Sequence, residues 1–556
     1  DMSIRHENSD DNSGTNTAGI LGNSSTKTKI RDCKTIGCDI YSDCYYSGMS
    51  GVSAIAGTIS NDAIIEGCEV INTNVLGTRA GNVSGILGDG NKTVVRNCII
   101  TDSNFTNQLS LNEIDSSYGI STAGIGVTMS EAVIENVEVN NCNINTKGFC
   151  TAGIIGCGDG MTNISNSSVK NTRIIDTGTN QTVSGSVEDR AIGGVIGHAV
   201  DLDANNLTVD NVTIDSQVTS VGGIAGSIGT LNNLNDSTVN KLTIKNSSEF
   251  DEKNGSSAGL VGDINTIIGT IKNNKVTNSE ISTNCDNTAG LIGTAFSKGT
   301  IEKCLVDNVK LDNKNLISTL HGNQGGLISY TNDDFTIKDS HVKNCNLKID
   351  NTSEVSKHGG GIVGFSNNIE INDSSVENTN IINNTLGTTG GMVGMSLYDN
   401  KNGIETIKTV TIKNSSVIGE TDKLISGNNH VGGMVGFGRI VANSNTLANL
   451  TVKSLIENGS SETGGLVGLA IKDSSINGVT ADNLTVVSNY NAGGIAGEFN
   501  GTIENVNIEN SDVSIKENYG PSTVGGIVAI LNGKISNSTV DNITVSTYGT
   551  ATSGYE

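Results

Sequence analysis

Six histidines, eleven cysteines and fifty-eight aspartates and glutamates are the reactive groups of this 556-residue sequence. Zinc-dependent peptide hydrolysis needs His-Glu-x-x-His, which sets two imidazoles one helical turn apart beside a carboxylate base. His6, His198, His321, His341, His358 and His430 have no such partner and read as scattered, exposed side chains. A structural zinc ion wants paired spacing such as Cys-x-x-Cys, and no two cysteines have it. Sugar-cleaving sites cluster carboxylates, often with Lys or Arg, across neighbouring elements. Glu66, Glu135, Glu302 and Glu504 share one recurring position, yet they fall in repeats that are not adjacent. The acidic groups at 201–203 (DLD) and 332–334 (NDD) read as bends or insertions, where weak Ca²⁺ binding competes with plain solvation. Aromatic platforms for stacking sugars are scarce, and Tyr41, Tyr45 and Tyr46 form the one visible cluster. These residues name no catalytic group and no cofactor, and they leave the metal question open.

What must position these side chains is a repeat. The stretch NAGGIAGEFNGTIENVNIENSDVSI (491–515) returns as TAGLIG (288–293) followed by TIEKCLVDNVKL, and as TAGIIG (151–156) followed by NISNSSVKNTRI. Sixteen copies are present, with the apolar residue after the glycine at Ile20, Ile55, Ile86, Ile125, Ile154, Val195, Ile224, Leu260, Leu291, Leu327, Ile362, Met392, Met434, Leu466, Ile495 and Ile527. A self-similar period of this length signals a stacked architecture, and a single solenoid can use the whole chain.

The second half of each copy opens on an apolar residue: Ile30, Ile65, Val95, Ile134, Ile164, Ala204, Leu234, Ile271, Ile301, Ile337, Ile371, Ile412, Leu447, Ile476, Ile503 and Ile535. From Ile503, apolar residues recur at Val506, Ile508, Val513 and Ile515. Steps of two are strand alternation, and the odd steps mark corners at Asn505 and near Asn510. The pattern predicts an all-β, right-handed parallel β-helix or β-solenoid of about sixteen coils. Asn72, Asn141, Asn171, Asn211, Asn278, Asn308, Asn344, Asn378, Asn483, Asn510 and Asn542 share the second corner. Asparagine tolerates left-handed backbone, and its amide can bond to the coils on either side. These residues therefore predict an asparagine ladder. The glycines fit a tight corner better than a ligand-cradling loop, because they recur in every copy.

Copies such as GGLVG (464–468), AGLIG (289–293) and GGIVG (360–364), followed by variants of ISNSSVKNTRI (164–174), resemble GLUG-motif repeats from about Thr17 to Val545. The resemblance implies secreted or surface-attached microbial β-solenoids, adhesin-like or attached to immunoglobulin-A-cleaving peptidases, and it supplies no catalytic residues.

Composition narrows the partners. A net charge of −24 argues against nucleic acid, whose phosphates need Lys and Arg. No apolar run approaches the ~18 residues that span a bilayer. Cys33, Cys68, Cys98 and Cys304 take the inward slot of Val506, while Cys38, Cys142 and Cys345 take the slot past the second bend. Stacked Cβ atoms ~4.8 Å apart exceed the ~3.5–4.5 Å of a disulfide, so these read as buried core. Cys44, Cys150, Cys157 and Cys285 are left over.

The expected organisation is a lead-in or upstream end at 1–16, one continuous solenoid at 17–545, and an exit at 546–556 from which the chain continues. The expected function is a non-catalytic extracellular adhesin or rigid stalk that meets a protein or glycan on a host or neighbouring cell. It involves no nucleic acid and no membrane insertion, and leaves room for a homo-oligomer. The alternatives are a polysaccharide-binding or polysaccharide-degrading β-helix enzyme and a subunit of an extracellular filament or sheath. Ice binding ranks last, since Thr208/Thr213 and Thr539/Thr544 are not continuous. Insertions at 106–121, 176–191, 245–256, 313–324, 397–409 and 420–430 are expected on one edge, as the leading contact surface.

Overall fold

The computed structural model describes residues 3–6, 16–43, 51–109, 121–178, 190–247, 255–314, 322–350, 356–396, 398–401, 404–454, 461–516 and 522–548. None of them is helical. The chain divides into two compact units, Asp1–Cys285 and Asp286–Glu556. Each is a parallel β-solenoid of eight coils, counted by the short strands at the start of the glycine motif: Thr17–Ala18 to Ser256–Ala258 in the first, Asn287–Ala289 to Thr523–Gly525 in the second.

The coil at 491–516 shows why the sequence folds this way. Its strands are Asn491–Gly493, Ala496–Glu504, Asn507–Glu509 and Asp512–Ile515. The backbone turns left-handed at Asn505 (φ 53°) and Asn510 (φ 49°). Each corner consumes a residue without reversing the facing, which produces the odd steps. Ile503, Val506, Ile508, Val513 and Ile515 are all 1% exposed or less, as the spacing predicts. The glycine pair is structural. A Cβ on Gly493 would lie 1.9 Å from the Ala496 carbonyl oxygen, and one on Gly494 would lie 2.1 Å from that of Gly526. Two backbones are pressed together there, and only glycine fits.

All eleven ladder asparagines are left-handed, with φ between 48° and 55°. Their amides do bond from coil to coil. Asn542 Nδ2 donates to Asn510 Oδ1 at 2.7 Å, and Asn211 Nδ2 to Asn171 Oδ1 at 2.8 Å. The ladder is not unbroken, however. Asn510 donates to Asp482 and Asn171 to Asn140, each one residue before the expected rung.

The opening residues stack as aligned, with one correction. Ile412 and Ile476 pair with Ala442, not Leu447, and Leu447 pairs with Val417 and Ala481 in the following strand. The two bends of that coil, Ser444 and Asn449, lie five residues apart. Slipping by one bend therefore preserves the apolar spacing, and small Ala442 was the weaker signal.

A second feature departs from the apolar pattern. The inward slot that ends the last strand, Ile515 in the template coil, is polar and buried in most coils, as at Asn107, Thr146, Asp176, Ser216, Asn246 and Thr283 in the first unit. Some of these groups meet inward hydroxyls of the short strands across the core: Thr122 Oγ1 donates to Thr146 at 3.3 Å, and Asn246 Nδ2 donates to Ser257 Oγ at 3.1 Å. The core thus carries a buried polar seam along the end of the last strand.

Ser3–His6, in the expected lead-in, forms a parallel strand beside Asp39–Ser42. Most of the insertions lie largely outside the described residues, with two exceptions. That at 397–409 holds an antiparallel hairpin, Tyr398–Lys401 with Ile404–Ile407. That at 420–430 is mostly not a loop: the strand Ser416–Gly427 runs through it and pairs with Thr446–Ser454, with a register shift between Ile418 and Lys423.

Candidate functional site

Outward carboxylates that share a slot stand beside cationic or polar side chains on adjacent coils, Ser536 donating to Glu504 at 3.3 Å. Glu66 pairs in register with Arg31 and Arg96, and its carboxylate lies 3.2 Å from the first guanidinium and 3.0 Å from the second. Glu135 stacks beside Arg96, and Glu302 beside Lys338. The groups at 201–203 and 332–334 are not bends or insertions: they run within the strands Ile196–Asp210 and Ile328–Lys338. Leu202 points into the core. Asp203 accepts from Asn205 and Asn233, and Asp334 accepts from Asn368. Asp201 and Asp203 flank Leu202 on the outward face of their strand. Among the described residues no three His, Cys, Asp or Glu side chains could hold a metal ion together.

The second unit does assemble a polar site, and its centre is His341. The strands Leu305–Asp307, His341–Lys343 and Ser375–Glu377 lie side by side, with Leu305, His341 and Ser375 in one column and Asp307, Lys343 and Glu377 in another. Lys303 and Asp339 stand at the left-handed bends just before them. Together they shape an open cleft of about 490 Å³ lined by Lys303, Asp307, Asp339, His341 and Lys343.

One hydrogen-bonded chain crosses this surface. His341 Nε2 lies 3.5 Å from Asp339 Oδ1, and Nδ1 lies 2.8 Å from Ser375 Oγ. The Ser375 hydroxyl donates to Glu377 Oε1 at 2.6 Å, so it accepts from His341 Nδ1–H. Lys343 Nζ closes the chain 3.0 Å from Glu377 Oε2. Burial works to raise the Glu377 carboxyl, but the Ser375 hydroxyl and Lys343 ammonium hold it below its ordinary value. Asp307 accepts from Asn344 Nδ2 at 2.8 Å. The arrangement offers a ligand two ammonium groups, an imidazole and two carboxylates on a rigid floor.

The histidines are therefore not all scattered. His358 is 7% exposed and packs on Phe365, 5.8 Å between centroids. Phe365 stacks on Tyr330 at 5.4 Å and 11°, in a column that continues through Met395, Phe437 and Leu469. His430 stacks on Phe437 at 5.6 Å, with Nδ1 2.5 Å from Glu462 Oε2. In the Tyr330–Phe365 pair the rings turn their faces to each other along the stack, a geometry that stabilises the coils. Sequence reading missed both groups because their partners on neighbouring coils are 30 or more residues apart. Aligning each repeat on its second bend would have placed His341 and Ser375 in one column. Of the predicted aromatic cluster, Tyr41 lies under Arg5, 5.1 Å from guanidinium to ring centroid, while Tyr45 and Tyr46 lie outside the described residues. The side chain of His6, and His321 entirely, lie outside them too.

The cysteines fall where their slots predict. Cys38, Cys68, Cys98, Cys142, Cys304 and Cys345 are buried and Cys33 is half-buried, all as free thiols. Of the leftovers, Cys150 and Cys285 are buried, Cys157 is half-buried and Cys44 lies outside the described residues. Burial pushes the Cys345 thiol up to about 12 and that of Cys142 up to about 11, which leaves both inert at neutral pH.

No protein-family model matches the chain. No curated protein matches it either. Among solved structures, the PL6 family alginate lyase AlyGC is 10% identical over 97% of this chain and 98% of its own, with a TM-score of 0.14, an overlap too low to carry an argument. No helix among the described residues is long and apolar enough to cross a membrane.

Proposed function

We propose that the chain is a non-catalytic binding solenoid, an adhesin or stalk of the GLUG-repeat kind displayed outside a microbial cell, which holds a protein or glycan against a rigid polar surface. The observation that carries this reading is the chain from His341 to Lys343. His341 Nδ1 is engaged by Ser375, which is 6% exposed and donates to Glu377, whose other oxygen meets Lys343. The imidazole is thereby fixed as a link between coils. Such a site recognises polar groups with little ordering cost, because its side chains are already held.

The cleft itself favours a second reading. Asp307, Asp339, Lys303, Lys343 and His341 on neighbouring coils of one face are the grouping that a polysaccharide-cleaving β-helix would use. A panel of neutral and acidic polysaccharides separates the two. Binding by the wild type, lost with Lys303→Ala plus Lys343→Ala and without new chain ends, supports the binding solenoid. Release of shortened or unsaturated products that disappears with His341→Ala would establish the enzyme instead.

A further inference from the structure

Three thiols stack inside the first unit. Cys33, Cys68 and Cys98 follow the left-handed residues Asp32, Gly67 and Asn97 on successive coils. Each Sγ donates to the carbonyl two residues back, at 3.2 Å to Arg31, 3.6 Å to Glu66 and 3.3 Å to Arg96. The three side chains therefore point the same way, and their sulfurs repeat at the strand spacing of ~4.8 Å. That spacing is too long for a relaxed disulfide, whose Cβ atoms want ~3.5–4.5 Å. It is close to twice a metal–thiolate bond of about 2.3 Å, so two sulfurs with an ion in line between them span about 4.6 Å.

We infer that Cys33 and Cys68 form a two-coordinate site for a soft monovalent cation of the cuprous class. Soft thiolates select Cu(I) over harder ions. A tetrahedral or octahedral ion has no seat, since no three ligating groups among the described residues could hold one metal ion. Binding releases two thiol protons and forms two Cu–S bonds, with no change of oxidation state. Cys33 is the half-exposed member and so the point of entry, while Cys68 and Cys98 are fully buried.

The test is an anaerobic titration of the full reduced chain with Cu(I) against the chelator bathocuproine disulfonate. The wild type should retain one ion, and X-ray absorption should show two sulfur neighbours. Cys68→Ala should lose the retained copper, while Cys142→Ala and Cys345→Ala should keep it. Cys33→Ser, at the half-exposed position, guards against a Cys68 variant that fails to fold, and it should lose the copper with an unchanged far-UV spectrum. Full retention by the Cys33 and Cys68 variants, or no retention by the wild type, would overturn the assignment. So would a Cys33–Cys68 disulfide in the aerobically purified chain, because the sulfurs would then need no bridging ion.

Discussion

Two outward surfaces, one in each unit, use the same slots for different chemistry. In the first unit Glu138 opens a three-residue strand, Ser168 occupies the same slot one coil on, and Lys170 ends that strand. Lys170 Nζ lies 2.9 Å from Glu138 Oε2, and Ser168 Oγ donates to the same oxygen at 3.4 Å, a closed local rung about one-third exposed. In the second unit the Glu138 slot holds His341, the Ser168 slot holds Ser375, and the carboxylate has moved to Glu377. The rung now runs from His341 through Ser375 and Glu377 to Lys343. The buried ladder fixes where an outward side chain stands and not what it is. Changes of residue at three slots thus convert a local ion pair into a chain reaching across two coils. That independence is how a repeat can carry a site that no single copy contains.

The sharpest way to break the comparison is to attack the ladder beneath it. Ile508 is fully buried between Ala481 and Val540 of the flanking coils. Ile508→Asp buries a carboxylate without a partner and should cost about 3–5 kcal/mol in chemical denaturation.

A smaller effect separates the units by pH. In the first unit burial pushes Asp89 up to about 6 from 3.8, so the folded state holds that proton more tightly than the unfolded state does. Its favourable contribution is complete below about pH 4 and is lost as pH rises through 6. Asp89→Asn should therefore gain about 2–3 kcal/mol at pH 8 and nothing at pH 4, read from denaturant midpoints at the two pH values.

Glu377 carries the opposite sign. Its carboxyl is held low, so its contribution is present above the unfolded value and fades as pH falls through the folded one. Glu377→Gln should cost about 1 kcal/mol at pH 7, because it disturbs a chain of bonds. Glu138→Gln, which opens only a local and partly exposed rung, should cost under about 0.5 kcal/mol. Equal costs would mean that the longer chain has no collective character. The smallest effect belongs to Glu509→Lys, beside Ile508 but on the outer face, at under about 0.5 kcal/mol.

The ladder was legible in the sequence because burial repeats. Ile503, Val506, Ile508, Val513 and Ile515 obey a fixed spacing, and the asparagines after them announce the left-handed corner. Where the spacing is degenerate the reading slipped, as at Ala442, which Leu447 imitates from one bend later. The polar seam of Thr146, Asp176 and Asn246 was hidden for a different reason: a buried polar residue looks exposed until its partner, such as Thr122 or Ser257, is seen across the core. The His341 chain was hidden because outward residues obey no period. Only the pairing of His341 with Ser375 and of Lys343 with Glu377 brings them together.

Coil-resolved hydrogen exchange on Ile508→Asp and Glu509→Lys tests the shared register most directly. The ladder account predicts faster exchange in the Ile508 variant within the coils that hold Ala481, Ile508 and Val540, falling off with distance along the second unit. It predicts wild-type protection throughout the Glu509 variant. Equal loss of protection in both variants over residues 480–540 would contradict it, because an inward Glu509 places every outward slot, those of His341 and Glu377 included, on the wrong face.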